Sequence, residues 1–266
     1  MVELIGSLGQ RMSQRWLTGV FVPGLLYCCF CGWLAVGPSD PLHLSQGIRD
    51  VNDWWQGLPQ GPVTIPLVAV LAVVLSVMFG YAAEALGHEG IHRLWVARGP
   101  SRWRAYRRRR GQDPASDSSY QVPDRATSVG DAFRLVGVRV YAEYRLPVTD
   151  VWPRIWLIAS PETRALVTSA AARYYADTVL AAWGIAYLLW ALHWWPAGPI
   201  GLIVAAVAYL RARSSAAALA AVVEAVVDTN LGELAKSLRV DFHGPRPAPE
   251  TAALIRDILT KGSART

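Results

Sequence analysis

Four apolar runs, at about 16–37, 64–87, 177–195 and 198–210, constrain this 266-residue chain more than any other feature. The first three hold about 19 to 24 residues each, the length a helix needs to cross a hydrocarbon core of about 30 Å at 1.5 Å per residue. The fourth is short alone. It reaches spanning length if its helix continues past Arg211 and Arg213 into the alanine-rich run beyond. The expected fold class is therefore all-α: an integral membrane protein with four transmembrane helices. Composition agrees, with 53% of residues hydrophobic and only 17% charged, against about 25% charged in an ordinary soluble domain. These figures exclude a disordered chain and argue against a plain soluble enzyme.

Charge sets the orientation. Of 26 Lys and Arg, 2 lie in the N-terminal tail, 1 in the 38–63 loop, 15 in 88–176 and 8 from 211 onward. The poorly charged 38–63 loop and the tight turn at 196–198 are expected outside, with both termini inside. Trp33, Trp54, Trp55, Trp190, Trp194 and Trp195 would gather at the outer interface, and Trp16, Trp95 and Trp103 at the inner one, where an indole keeps its ring dry and its N–H wet. Only two basic residues are Lys, a bias typical of GC-rich bacterial coding, so the expected location is a bacterial plasma (inner) membrane. The first run is too long for a signal-peptide core. Cys28, Cys29 and Cys31 share that run and give no disulfide framework.

No run carries a charge at its centre: Glu84, Asp177, His193 and Arg211 all sit at ends. That argues against a pump, a proton-coupled carrier or a voltage sensor. A pore lined by small or hydroxyl side chains stays open. Ser76 and Gly80, four apart, form a small-residue face that would let helices approach closely in lipid, which motivates an expectation of self-association.

The chain divides into 1–87 (tail and spans 1 and 2), 88–160 (cytoplasmic), 161–241 (a hairpin of spans 3 and 4 with cytoplasmic extensions) and a tail at 242–266. Ser160-Pro161-Glu162 reads as a helix start, and nothing breaks that helix before Trp195, which would make it about 52 Å long. Within 88–160, the run SRWRAYRRRR (101–110) holds Arg102, Trp103, Arg104, Arg107, Arg108, Arg109 and Arg110. It reads as an anchor to anionic lipid headgroups; nucleic acid would use the same charges with stacking on Trp103 and Tyr106, and is disfavoured beneath a membrane. A polar, proline-containing linker follows to about 124.

The one catalytic motif is His88-Glu89-Gly90-Ile91-His92. On an α-helix His88 and His92 would face the same way as two zinc ligands, with Glu89 beside them as general base to a metal-bound water. Gly87 and Gly90 disfavour helix there by about 1 kcal/mol each. Glu84, Asp131 and Glu143 are the candidates for a third ligand, and none lies in a second motif.

The segment 126–156, ATSVGDAFRLVGVRVYAEYRLPVTDVWPRIW, resembles a family of uncharacterised bacterial multi-span membrane proteins whose cytoplasmic loop carries a pattern like ATRLGN…AE…RYGLD…VVWPRLW. The matching pieces are Ala126-Thr127, Gly130, Arg134, Tyr144-Arg145-Leu146 and Val151-Trp152-Pro153-Arg154-Ile155-Trp156; Asp131 and Pro147 depart from it. The resemblance covers about the C-terminal 60% of the chain and implies a multi-span architecture with no established activity. Physically, Trp152, Pro153, Arg154 and Trp156 are expected to form a turn wedging two indoles between helices. Trp152, Arg154 and Trp156 are also candidates for contact with lipid or a partner.

The functional expectation is a non-enzymatic, self-associating membrane module without a cofactor, acting as a pore or coupling a cytoplasmic protein partner to the membrane. The alternative is a membrane zinc protease using His88, Glu89 and His92.

Overall fold

The structure is a computed structural model that describes residues 21–35, 44–57, 61, 63–100, 102–103, 105–106, 124–240 and 246–260. Among these residues there is helix and no strand. In chain order the main helices are α1 (Val22–Ala35), α2 (Leu44–Gly57), α3 (Thr64–Ala85), α4 (His92–Val96), α5 (Ser128–Tyr144), α6 (Val148–Ile158), α7 (Pro161–Leu189), α8 (Ala197–Ser237) and α9 (Pro249–Thr260). Three stretches, Thr64–Val96, Pro161–Leu192 and Ala197–Ser237, are long and apolar enough to cross a membrane. Helix α1 is apolar too, but its 14 residues reach only about 21 Å.

The helices start and stop where the chain's chemistry directs. Ser160 Oγ accepts the Thr163 N–H at 3.2 Å, capping α7 as the Ser-Pro-Glu spacing predicts. Thr127 Oγ1 caps α5 by accepting the Gly130 N–H at 3.1 Å. Arg145 ends α5 in the left-handed region at φ 59°, and the chain reverses into α6.

Four local expectations need correction. The 38–63 stretch is not simply a loop, because it contains α2, whose Ile48, Val51 and Trp55 repeat at helical spacing. Helix α7 does not run to 195: it ends at Leu189 and tightens into a 3₁₀ turn, Trp190–Leu192, since a residue before proline, here Trp195, avoids α-helical geometry. The segment Leu86–Ile91 is π-helical, consistent with two glycines weakening the α-helix there. Trp152-Pro153-Arg154 is not a turn, for Pro153 lies inside α6. There the proline removes one backbone hydrogen bond, and Arg154 Nη1 donates to the Asp150 carbonyl at 2.9 Å.

The described residues form two compact units. The first comprises the chain up to Ile91 together with Thr178–Tyr209; the second comprises His92–Asp177 and the chain from Leu210 onward. Helices α7 and α8 contribute residues to both.

The first unit packs through small residues. A Cβ on Gly24 would collide with the Ser76 carbonyl; on Gly87 it would come to 2.9 Å from Val179 backbone, and on Gly201 to 2.7 Å from the Gly184 oxygen and the Leu188 nitrogen. Such approaches let backbones touch, which is how helices gain contact where the surroundings are as apolar as their own side chains. Ser76 and Gly80 are both buried, and the Ser76 hydroxyl donates to the Ala72 carbonyl at 2.6 Å. Tyr27 anchors an aromatic cluster, its ring 5.2 Å from Phe79, 5.4 Å from Trp183 and 5.5 Å from Tyr187. Its hydroxyl accepts from Trp190 Nε1 at 2.9 Å and donates to the Ala186 carbonyl at 3.4 Å.

The second unit has an aliphatic core, including Val129, Val140, Leu146, Val151, Ile155, Leu234 and Ile255, all essentially inaccessible. Polar pairs lace its helices together. Arg139 on α5 forks onto Glu224 of α8, Nε to Oε1 at 2.7 Å and Nη2 to Oε2 at 2.5 Å. One turn along α8, Asp228 accepts the Tyr144 hydroxyl at 3.0 Å. Buried Asp177 of α7 takes Arg211 Nε at 2.9 Å and the Ser215 hydroxyl at 2.8 Å.

Candidate functional site

The second unit contains two adjoining grooves built on α5. The larger, about 680 Å³, is lined by Arg125, Arg134 and Arg145 and by no acidic residue, over a floor that includes Phe133 and Tyr141. The smaller, about 400 Å³, carries no charge at all; Trp152, Val167, Leu219 and Val223 form its walls. Phe133, Gly137, Val148 and Thr149 line both. Both volumes fall in the range of small-molecule sites, about 300–1,000 Å³.

Each wall follows from local structure. The left-handed residue Arg145 turns the chain so that α6 folds back beside α5. Its own side chain is exposed at the groove's rim, and its guanidinium makes no ion pair among the described residues. Arg134 lies 3.5 Å from Asp131. Asp131 is itself held by the backbone N–H groups of Asp124 and Arg125, both at 2.9 Å, which fixes the loop carrying Arg125. Gly137 sits inside α5, where glycine costs helix about 1 kcal/mol relative to alanine. A Cβ there would meet nothing within 4 Å, so no close packing requires the glycine, and Gly137 is one of the four residues that line both grooves.

Two side chains outside the grooves carry perturbed protonation. Burial, and then the Asp228 carboxylate that accepts its hydrogen bond, push the Tyr144 phenol above its ordinary value. The forked bond to Glu224 raises Arg139 further above an already high value. Both groups therefore keep their proton at neutral pH and act as fixed donors.

The residues singled out from sequence separate into distinct places. Trp152 and Trp156, with ring centroids 5.9 Å apart, line a third cavity of about 490 Å³ with Pro153 and Val167, and Trp152 also walls the apolar groove. Arg154 is not at either groove: its Nη2 donates to the Leu259 carbonyl at 2.7 Å and holds the end of α9. Trp103 is exposed, stacks on Tyr106 at 5.5 Å and donates to the Ala126 carbonyl at 2.8 Å. Arg102 is exposed. Arg104, Arg107, Arg108, Arg109 and Arg110 lie outside the described residues.

The His-Glu-x-x-His residues are divided between the π-helical stretch Leu86–Ile91 and the start of α4. His88 and Glu89 are exposed on the π-helical stretch, whereas the two-ligand argument requires α-helical spacing. His92 Nδ1 shares a hydrogen bond with the buried Tyr174 hydroxyl at 2.9 Å. Of the third-ligand candidates, Asp131 is engaged as described and Glu143 pairs with Arg246 at 3.0 Å; Glu84 lies on α3. Among the described residues no three His, Cys, Asp or Glu side chains gather as a metal site.

Sequence reasoning missed the groove arginines as a set. Arg134 and Arg145 stood only within a resemblance, and Arg125 only as the point where the pattern tightens again after the linker. The signal was there in Gly137, a glycine inside an otherwise unbroken helical pattern. No family model, curated protein or solved structure matches the chain.

Proposed function

We propose that the chain is a non-enzymatic, self-associating coupling module of the bacterial inner membrane. It has four spans and both termini inside, and its cytoplasmic helical unit senses an occupant of the arginine-mouthed groove. The observation that carries this is the dual use of two helices. Residues 178–189 of α7 and 197–209 of α8 belong to the first, apolar unit, whereas Val167 of α7 and Leu219 and Val223 of α8 wall the groove. A change at the groove wall is thereby a change in a helix that continues into the apolar unit. The arginine distribution supports the inward placement of the groove. The resemblance carried by the WPRIW segment agrees with a multi-span protein.

The coupling version is favoured over a pore. Gly184 and Gly201 bring α7 and α8 into backbone contact, which leaves no path between them within one chain. The test is pulsed electron resonance between spin labels at Leu189 and Leu202, both exposed in the first unit, in full-length protein in lipid nanodiscs. Replacing groove-wall Trp152 by Ala is expected to shift that distance distribution. An identical distribution, in a variant whose circular dichroism shows it folded, would overturn coupling. Strict monomers in nanodiscs would remove self-association.

A further inference from the structure

We infer that the joined grooves hold one anionic phospholipid of the inner leaflet, its phosphate among Arg125, Arg134 and Arg145 and one acyl chain along the apolar walls. The inference rests on the inward placement proposed above and names the occupant of that groove.

Charge segregation is the first ground. Three arginines and no acidic residue line one groove, and no charged residue of either sign lines the next. Arg134 stands 3.5 Å from Asp131 and Arg125 Nη1 donates to the Val96 carbonyl at 3.2 Å, while Arg145 is exposed at the rim. A ligand that satisfies both is an anion joined to a hydrocarbon chain. Arginine suits phosphate because its planar fork donates two parallel hydrogen bonds. Basic pockets beside membrane helices on the cytoplasmic side are common lipid headgroup sites. A cytoplasmic peptide would need partners for its backbone groups, and the apolar groove, with only the Thr149 hydroxyl and the Trp152 indole N–H polar among its lining side chains, offers little of that kind.

Gly137 is the second, independent ground. It weakens α5 without serving any close packing, it lines both grooves, and open space lies where its Cβ would stand. A chain passing from one to the other would lie over it. The side chains beside it, Phe133, Val148 and Trp152, are the kind that contact methylene groups.

The test uses full-length protein in phosphatidylcholine nanodiscs. These contain a small fraction of phosphatidylglycerol carrying a photoactivatable diazirine in one acyl chain, and cross-linked peptides are mapped by mass spectrometry. Cross-links are expected at Trp152, Val167, Leu219 and Val223. Gly137→Leu plugs the junction. It is expected to cut groove cross-linking by about tenfold, what excluding a couple of methylene groups from apolar contact is worth, while thermal unfolding stays level or rises. Arg145→Gln is expected to cut it about fivefold, the scale of one charge beside anionic lipid. The same diazirine on phosphatidylcholine should label the spans and leave the groove unlabelled.

Equal groove labelling by phosphatidylcholine would overturn the anionic requirement. Undiminished labelling in Gly137→Leu would overturn the site. Absence of groove labelling by the phosphatidylglycerol probe, with the spans still labelled, would overturn the lipid as occupant. Because the spin-label distance is read separately, lipid labelling with an unmoved distance removes only coupling. A moved distance without lipid labelling removes only this inference.

Discussion

The two units solve the problem of holding helices together by opposite means. In the first, glycines at 24, 87, 184 and 201 bring backbones into contact, aromatic rings fill the remainder, and hydrogen bonds such as Trp190 to Tyr27 are few and short-range in space. In the second, arginine, tyrosine and carboxylate pairs bind α5 to α8 and α7 to α8, around an aliphatic core. On the proposed placement, with the first unit in the bilayer and the second in the cytoplasm, the difference follows the surroundings of each. Where the surroundings are lipid, burying an apolar side chain gains little and close van der Waals contact has to supply the attraction. In water, apolar burial drives packing and exposed ion pairs add register at small net gain.

The sharpest way to break this contrast is to overfill a contact in the first unit. Gly201→Leu, whose side chain would run into Gly184 and Leu188, is expected to cost about 3 kcal/mol or to abolish folding, read as loss of cooperative unfolding in mild detergent. Full stability of that variant would contradict the packing described.

A smaller effect sharpens the account of the second unit. Tyr144→Phe removes the hydroxyl bonded to Asp228 and is expected to cost about 1 kcal/mol near neutral pH. Its pH dependence has a definite sign. The folded-state value of this phenol is raised, so its contribution is complete below the unfolded tyrosine value of about 10. It is lost as pH climbs beyond that through the raised value. Wild type and Tyr144→Phe should therefore converge in stability at strongly alkaline pH; a gap that widens instead would contradict the assigned bond.

The smallest effect is a gain. Gly232 lies exposed inside α8, with nothing within 4 Å of a Cβ there. Gly232→Ala is expected to stabilise by about 0.5–1 kcal/mol, whereas the same exchange at Gly24, against the Ser76 carbonyl, should destabilise. Paired thermal scans of the two variants separate an idle glycine from a packing one.

Much of the architecture was legible because hydrophobic length and caps are local signals. The apolar runs gave three helices long enough to span, and Ser160-Pro161 marked the start of α7. The continuation of α8 past Arg213 was readable from an alanine-rich run without a breaker. The misreadings share a cause. WPRIW was taken for a turn on its proline, yet tertiary contacts and the Arg154 bond to Asp150 keep it helical. The fate of the Ser76/Gly80 face depended on where α1 lies, since Gly24 is the neighbour pressed against Ser76. The groove was illegible for a stronger reason. Arg125, Arg134 and Arg145 are separated by 9 and 11 positions and share one groove through a capped loop and a left-handed residue, neither of which any periodicity announces.

The account depends first on which side of the membrane the groove lies. In a background with Cys28, Cys29 and Cys31 replaced by Ala, single cysteines at Leu192 and at Arg145, both exposed, can be probed in intact cells with a membrane-impermeant maleimide. The account predicts labelling at 192 from outside, and at 145 only after the membrane is opened. Labelling of both positions from the same side would contradict it.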